Sequence, residues 1–211
     1  LGRVHPTHRD FRQWQQMSEN ERQLHRRDIA EVYVETAKKY EHSGISFHTP
    51  MNWGDQWLEE SMRCLDIIRE ISGMEYFIVM HLDPTYAIPS GDDMMQFVSD
   101  MADKPDRLKD EAQEKTQEYL GYAAKLKKQG VVDGFALCSD YCFNNAPFLS
   151  PTMFDEFIMP YLCEMISTCR EIGFYTIKHT DGNIMPILDR LVEAKPDALH
   201  SLDPQGGVDI A

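Results

Sequence analysis

Long apolar runs are missing from this sequence. Nothing in it approaches the roughly 18 consecutive apolar residues that cross a bilayer, and its longest apolar stretches, such as Tyr76 to Met80, are strand-sized. Leu1 to Arg12 is polar and basic, without the apolar h-region of a signal peptide. Cysteine is scarce: Cys64, Cys138, Cys142, Cys163 and Cys169 are odd in number and irregularly spaced. That excludes a disulfide framework and points to a reduced, cytoplasmic setting. Positive charge is also short. The 21 Lys and Arg residues against 35 Asp and Glu give a formal net charge of -14, which argues against nucleic acid and membrane as partners. A highly anionic substrate would need a local basic pocket. No G-x-G-x-x-G follows an expected strand, so the dinucleotide-binding version of an open sheet lacks support. Hairpin signals, internal repeats and low-complexity segments are absent too.

What is present is an alternation of two hydrophobic periods over 211 residues. Residues 19–41 have helical spacing, and 44–48 reads as a short strand. Leu58, Met62, Leu65 and Ile68 set out a helix over 55–72 that Gly73 ends. Residues 76–81 form a buried strand. A loop with Pro84, Pro89 and Gly91 leads to helices near 92–101 and 104–129. A strand over 131–138 follows, then a loop to Ser150-Pro151, a strong helix start. One helix is expected from there to about 172, a strand at 174–179, a helix over 183–193 and a strand at 198–202. Strands alternating with helices mean parallel strands joined by crossovers, in an open sheet or a closed barrel.

Polar chemistry collects where these strands end. His48, His81 and His179 close the first, second and fourth; Ser139-Asp140 follows the third; His200 lies in the fifth, with Asp203 just after it. In a parallel barrel such ends converge on one face, where the active site is built. The sharpest feature is His179-Thr180-Asp181-Gly182-Asn183. His-x-Asp puts two good zinc ligands on one alternation face; equally, Asp181 could cap the next helix while His179 donates to a carbonyl. Cys138 and Cys142 have no second pair to complete a thiolate site, and the twelve methionines read as packing.

The stretch Asp133 to Asp203 resembles the uroporphyrinogen decarboxylase superfamily, through DGFALCSD, APFLSPTMFDEFIMPYL and IKHTDGNIMPILDRLVEAKPDAL in order. Weaker similarity reaches back through GISFHTP and HLDPTYA. The resemblance implies an α/β fold, a (β/α)8 TIM barrel over residues 1–211, with residues 1–26 as an N-terminal helical extension. The chain starts at Leu1 and stops in what looks like a loop entering a helix, so further sequence is expected on both sides and the C-terminal barrel strands are expected beyond Ala211.

Departures from the family pattern narrow the reading. The decarboxylases' R-Q-A-G-R-Y motif is absent, and His48-Thr49-Pro50 occupies the region of their catalytic aspartate. The corrinoid-linked methyltransferase branch holds zinc with His-x-Cys and a later cysteine. Here His179 matches the histidine, Asp181 replaces the cysteine, and the later cysteine would lie beyond Ala211. The resemblance therefore implies methyl transfer between a corrinoid carried on a partner protein and a small acceptor, with zinc at His179 and Asp181. Asp140 and His179 are the catalytic candidates; His48, His81, Asp83, Asn145 and Asp203 are the substrate-binding candidates. The alternatives are a metal-free decarboxylase acting on a tetrapyrrole and a degenerate barrel that docks a corrinoid protein without catalysis.

Overall fold

The computed structural model describes residues 14–49 and 54–209. The first half of the expected N-terminal extension, Pro50 of the GISFHTP stretch and the final two residues lie outside them. The elements are α1 (Glu19–Lys39), β1 (Gly44–Phe47), α2 (Trp57–Ser72), β2 (Phe77–His81), α3 (Asp93–Asp103), α4 (Pro105–Gln129), β3 (Gly134–Cys138), α5 (Pro151–Phe157), α6 (Met159–Glu171), β4 (Tyr175–His179), α7 (Leu188–Glu193) and β5 (Ala198–His200). The five strands follow chain order in one sheet, β1-β2-β3-β4-β5. The β1–β2 and β4–β5 pairings are parallel, and the second sets His179 beside His200. Parallel neighbours joined through helices are what the alternating periods predict.

The chain divides into two compact units: the described parts of Leu1–His81 with Lys125–Gly134, and Leu82–Ala124 with the described parts of Phe135–Ala211. In the first, a capping box starts α1: Glu21 N–H donates to Ser18 Oγ, and Ser18 N–H to Glu21 Oε2. The α1 face bearing Ile29, Ala30, Tyr33 and Ala37 is buried, as is the α2 face bearing Leu65 and Ile68. Buried Arg26 bonds Glu60 at 3.2 Å. Arg69 of α2 fixes the entry to β2: it donates to the carbonyls of Val131 and Tyr76 and, at 2.6 Å, to Asp133, whose carboxylate also accepts Ile78 N–H.

In the second unit, Phe135 and Leu137 of β3 are fully buried. On β4 the side chains alternate. Thr176, Lys178 and the following Thr180 are buried, while Tyr175 is exposed and Ile177 and His179 are half-buried. Ser150 starts α5 as expected, accepting Met153 N–H at 3.3 Å. Ser150→Ala is expected to lower the free energy of urea unfolding by about 1 kcal/mol, and Ser150→Gly by only a few tenths.

Two expected helices come out differently. The single helix from Ser150 to about 172 is broken at Ile158 into α5 and α6. Pro160 has no N–H to give the Glu156 carbonyl, and its ring would collide with that carbonyl in an unbroken helix. The helix expected over 183–193 shrinks to α7, preceded by a 3₁₀ turn at Met185–Ile187. Pro186 removes a donor from that turn, and Asn183 Oδ1 accepts Met185 N–H at its start. Among the described residues no helix is long and apolar enough to cross a membrane.

Candidate metal centre

Histidine does end the strands. β2, β4 and β5 terminate at His81, His179 and His200, and His48 immediately follows β1. In the first unit His48 and His81 are brought together, ring centroids 3.8 Å apart, and Ser46 Oγ is 3.0 Å from His81 Nε2. The Tyr33 hydroxyl accepts His48 N–H at 3.1 Å and donates to the His48 carbonyl at 3.4 Å. Burial pushes that phenol up to about 12.

In the second unit Asp140, His179 and Asp181 converge, each offering one ligand atom within 4.8 Å of the others. His179 Nε2 lies 3.7 Å from Asp140 Oδ1 and 3.8 Å from Asp181 Oδ1. Its other nitrogen, Nδ1, lies 2.8 Å from His200 Nδ1 and 3.0 Å from Ser201 Oγ. The backbone builds the cluster. Gly182 turns the chain at φ +82°, and Asp181 N–H donates to Asp140 Oδ1 at 3.1 Å. Asn183 Oδ1, not Asp181, accepts Met185 N–H at the start of the turn that follows. Imidazole nitrogen with two carboxylate oxygens is a donor set for a divalent cation. Ligand atoms around tetrahedral zinc sit about 3.3 Å apart, as bonds near 2.0 Å require. The two distances to His179 would close by about 0.5 Å and the spacing of up to 4.8 Å across the cluster by as much as about 1.5 Å, through rotation of the exposed Asp140 and Asp181 carboxylates.

The remaining candidates have other surroundings. Asp83 is not on an open rim. Its side chain is 4% exposed and ion-paired at 2.8 Å with Lys178, itself 0% exposed. Thr85 donates to the second carboxylate oxygen through N–H and hydroxyl, at 2.9 and 2.6 Å. Burial opposes ionisation of Asp83, but the Lys178 charge and these bonds outweigh it and hold the carboxyl below its ordinary range. Burial lowers the Lys178 ammonium, with Asp83 opposing. Asn145 is exposed in the turn that Phe143 N–H and the Ala146 carbonyl close. Asp203 accepts Gln205 N–H at 2.8 Å and so caps a 3₁₀ turn, whose Gly206 packs against Gly182.

Sequence reasoning missed Lys178. The signal was there: in Tyr175-Thr-Ile-Lys-His-Thr it shares an alternation face with Thr176 and Thr180, so a lysine was due on the buried side of a strand that ends in the cluster. All cysteines are free thiols. Burial raises every one of them, Cys138 to about 11 and Cys142 and Cys169 to about 12.

The sequence pattern described as uroporphyrinogen decarboxylase (URO-D) matches residues 84–209. This chain belongs to that family. No curated protein matches the sequence. Among solved structures, a methyltransferase from Methanosarcina mazei superposes with a TM-score of 0.64 at 17% identity, covering 82% of this chain and 62% of that one. The carboxyl transferase domain of Rhizobium etli pyruvate carboxylase, solved with pyruvate and biocytin, gives 0.50 at 18% identity, covering 85% of this chain and 24% of that one. This chain thus spans about three-fifths of the first and a quarter of the second. At these identities the likeness concerns the fold: the URO-D-type (β/α) barrel, of which the five parallel strands form part.

Proposed function

We propose that this URO-D family member is a methyltransferase that moves a methyl group between a corrinoid on a partner protein and a small thiol acceptor, with a zinc ion held by Asp140, His179 and Asp181. The observation that carries the reading is the convergence of these three side chains at adjacent strand ends. When bound there, zinc acts as a Lewis acid that lowers the pKa of a thiol and keeps it nucleophilic near neutral pH.

The chain's own residues do the rest. Asp140 and Asp181 together offset the double positive charge. His179 turns Nε2 toward the two carboxylates and keeps its hydrogen on Nδ1, donating it to His200 Nδ1 or Ser201 Oγ, which fixes the ring's orientation. The acceptor thiol gives up its proton to solvent water, its sulfur forms the new bond to carbon, and the electron pair of the broken cobalt–carbon bond stays with the corrinoid.

The decarboxylase alternative needs cations to grip a polycarboxylate. Among the described residues the charged groups brought together in this cluster are the Asp140 and Asp181 carboxylates, and the Lys178 charge is already paired with Asp83. To test the proposal, metal-free protein is titrated with Zn²⁺ against a chromophoric chelator. Methyl transfer from a methylated corrinoid to a thiol is followed by the corrinoid's absorbance. The expected result is binding of zinc and, for His179→Ala, affinity weaker by about 100-fold or more, beyond the 10–100-fold typical of outer partners, with transfer lost in step. Protein that takes up no zinc, together with unimpaired transfer in His179→Ala, would end the proposal.

A further inference from the structure

We propose that Lys178 is a positioning residue that holds Asp140 against His179 and Asp181, by pinning β3 to β4 from the buried side of the sheet. The inference deepens the reading of that cluster as a metal centre, and its affinity arm rests on that reading.

Lys178 and His179 are neighbours in β4 and point to opposite faces. An ammonium has three N–H groups, and the Lys178 head finds three acceptors: Asp83 Oδ2 at 2.8 Å, the Leu137 carbonyl at 3.1 Å and the Ser139 carbonyl at 3.2 Å. Its charge also lies 4.1 Å from the centre of the Tyr141 ring. The anchor is itself anchored. Asp83 is held by Thr85, whose hydroxyl is 2.6 Å from the Tyr141 hydroxyl and whose carbonyl accepts Ser139 Oγ at 3.2 Å. On the other side of Asp140, Tyr141 N–H donates to Thr180 Oγ1 at 2.9 Å.

Asp140 is therefore bracketed. The residue before it is held by Lys178 and the residue after it by Thr180, and these two flank His179 at the end of β4. The bracket fixes the backbone of Asp140 opposite His179. Asp140 Oδ1 can then take Asp181 N–H while facing His179 Nε2. A stability element alone would need only the paired charges. The bonds to the two carbonyls do something further, because they set the register between the third and fourth strand ends.

The test removes the pins without leaving a buried charge. In Lys178→Met/Asp83→Asn both charges go, and the introduced side-chain amide can still accept from Thr85 through its oxygen. Three measurements are compared with the wild-type chain: the urea midpoint, Zn²⁺ affinity, and amide exchange at Tyr141 and Asp181 in metal-free protein, with the Ile166 amide as reference. The expected result is a midpoint near wild type, zinc bound at least tenfold more weakly, and both amides exchanging at least tenfold faster while Ile166 is unchanged. Wild-type exchange at Tyr141 and Asp181 in the double variant overturns the proposal, whatever zinc does. Absence of zinc binding by the wild-type chain strikes the metal reading alone, and the exchange arm still decides the positioning role. If the double variant does not fold, Thr180→Val, which removes the other pin, is measured instead. Faster exchange at Asp181 supports the bracket and an unchanged rate overturns it.

Discussion

Gly182→Ala is expected to destabilise the protein by roughly 3–4 kcal/mol and to weaken zinc binding at the same time. Two effects add. The residue sits at φ +82°, and a non-glycine residue in the left-handed region costs about 1–2 kcal/mol. A Cβ built there would also meet the Cys142 and Phe143 carbonyl oxygens at 2.5 and 2.6 Å. These are backbone atoms, held by the Tyr141–Phe148 and Phe143–Ala146 bonds and by Asn183 N–H on the Phe143 carbonyl, so they cannot swing aside as a flexible side chain would. The loop must move, and Asp181, one residue earlier, moves with it. Urea unfolding checks the first expectation and chelator competition the second. A variant within about 0.5 kcal/mol of wild type, the usual range for an innocuous surface change, would show that the turn has room the structure does not give it.

Asp83→Leu is expected to cost about 3–5 kcal/mol, the typical penalty for leaving one member of a buried ion pair alone. Lys178 would be left fully buried without its carboxylate partner, and Thr85 would lose the acceptor of two donors. The effect should depend on pH in a definite direction. The folded-state pKa of Asp83 lies below its ordinary value of 3.8. Its contribution is therefore fully present above that value and is lost as pH falls through the lower folded value. Below about pH 4 the wild type itself loses this contribution as Asp83 protonates, so the gap between wild type and Asp83→Leu should narrow there. Urea titrations at several pH values read this directly. A gap that widens below about pH 4 would contradict the assigned direction.

The α/β class and the parallel order were legible because long helical periods separate short strands, which leaves the chain little choice but crossovers. The strand-end histidines were legible for the same reason: once the strands are located, His81 and His179 fall at their ends by counting. Element interiors were harder. The expected helix from Ser150 onward contains Pro160, and only its position ten residues inside the cap says that the helix must break. The turn at Met185–Ile187 likewise follows from Pro186, which the apolar periodicity around it masks.

At the cluster, His179 and Asp181 could be picked by alternation, since both lie on one face of one segment. Asp140 was legible as the residue after a strand, but its approach to His179 depends on register between strands, which spacing along the chain does not encode. Lys178 was lost because a lysine in a short strand reads as a surface residue until its three acceptors are seen. Asp83 counts as a rim residue along the chain because it comes two residues after the end of β2; the ion pair with Lys178 draws it inward.

The shielding of the thiols has a practical consequence. With every native cysteine held in its unreactive protonated state at neutral pH, a mild alkylating reagent should find little to modify in the folded chain. A single cysteine introduced at an exposed site such as Met74, 80% accessible, would then be labelled selectively. Distance-reporting probes could be attached without first stripping the natural sulfur atoms from the core.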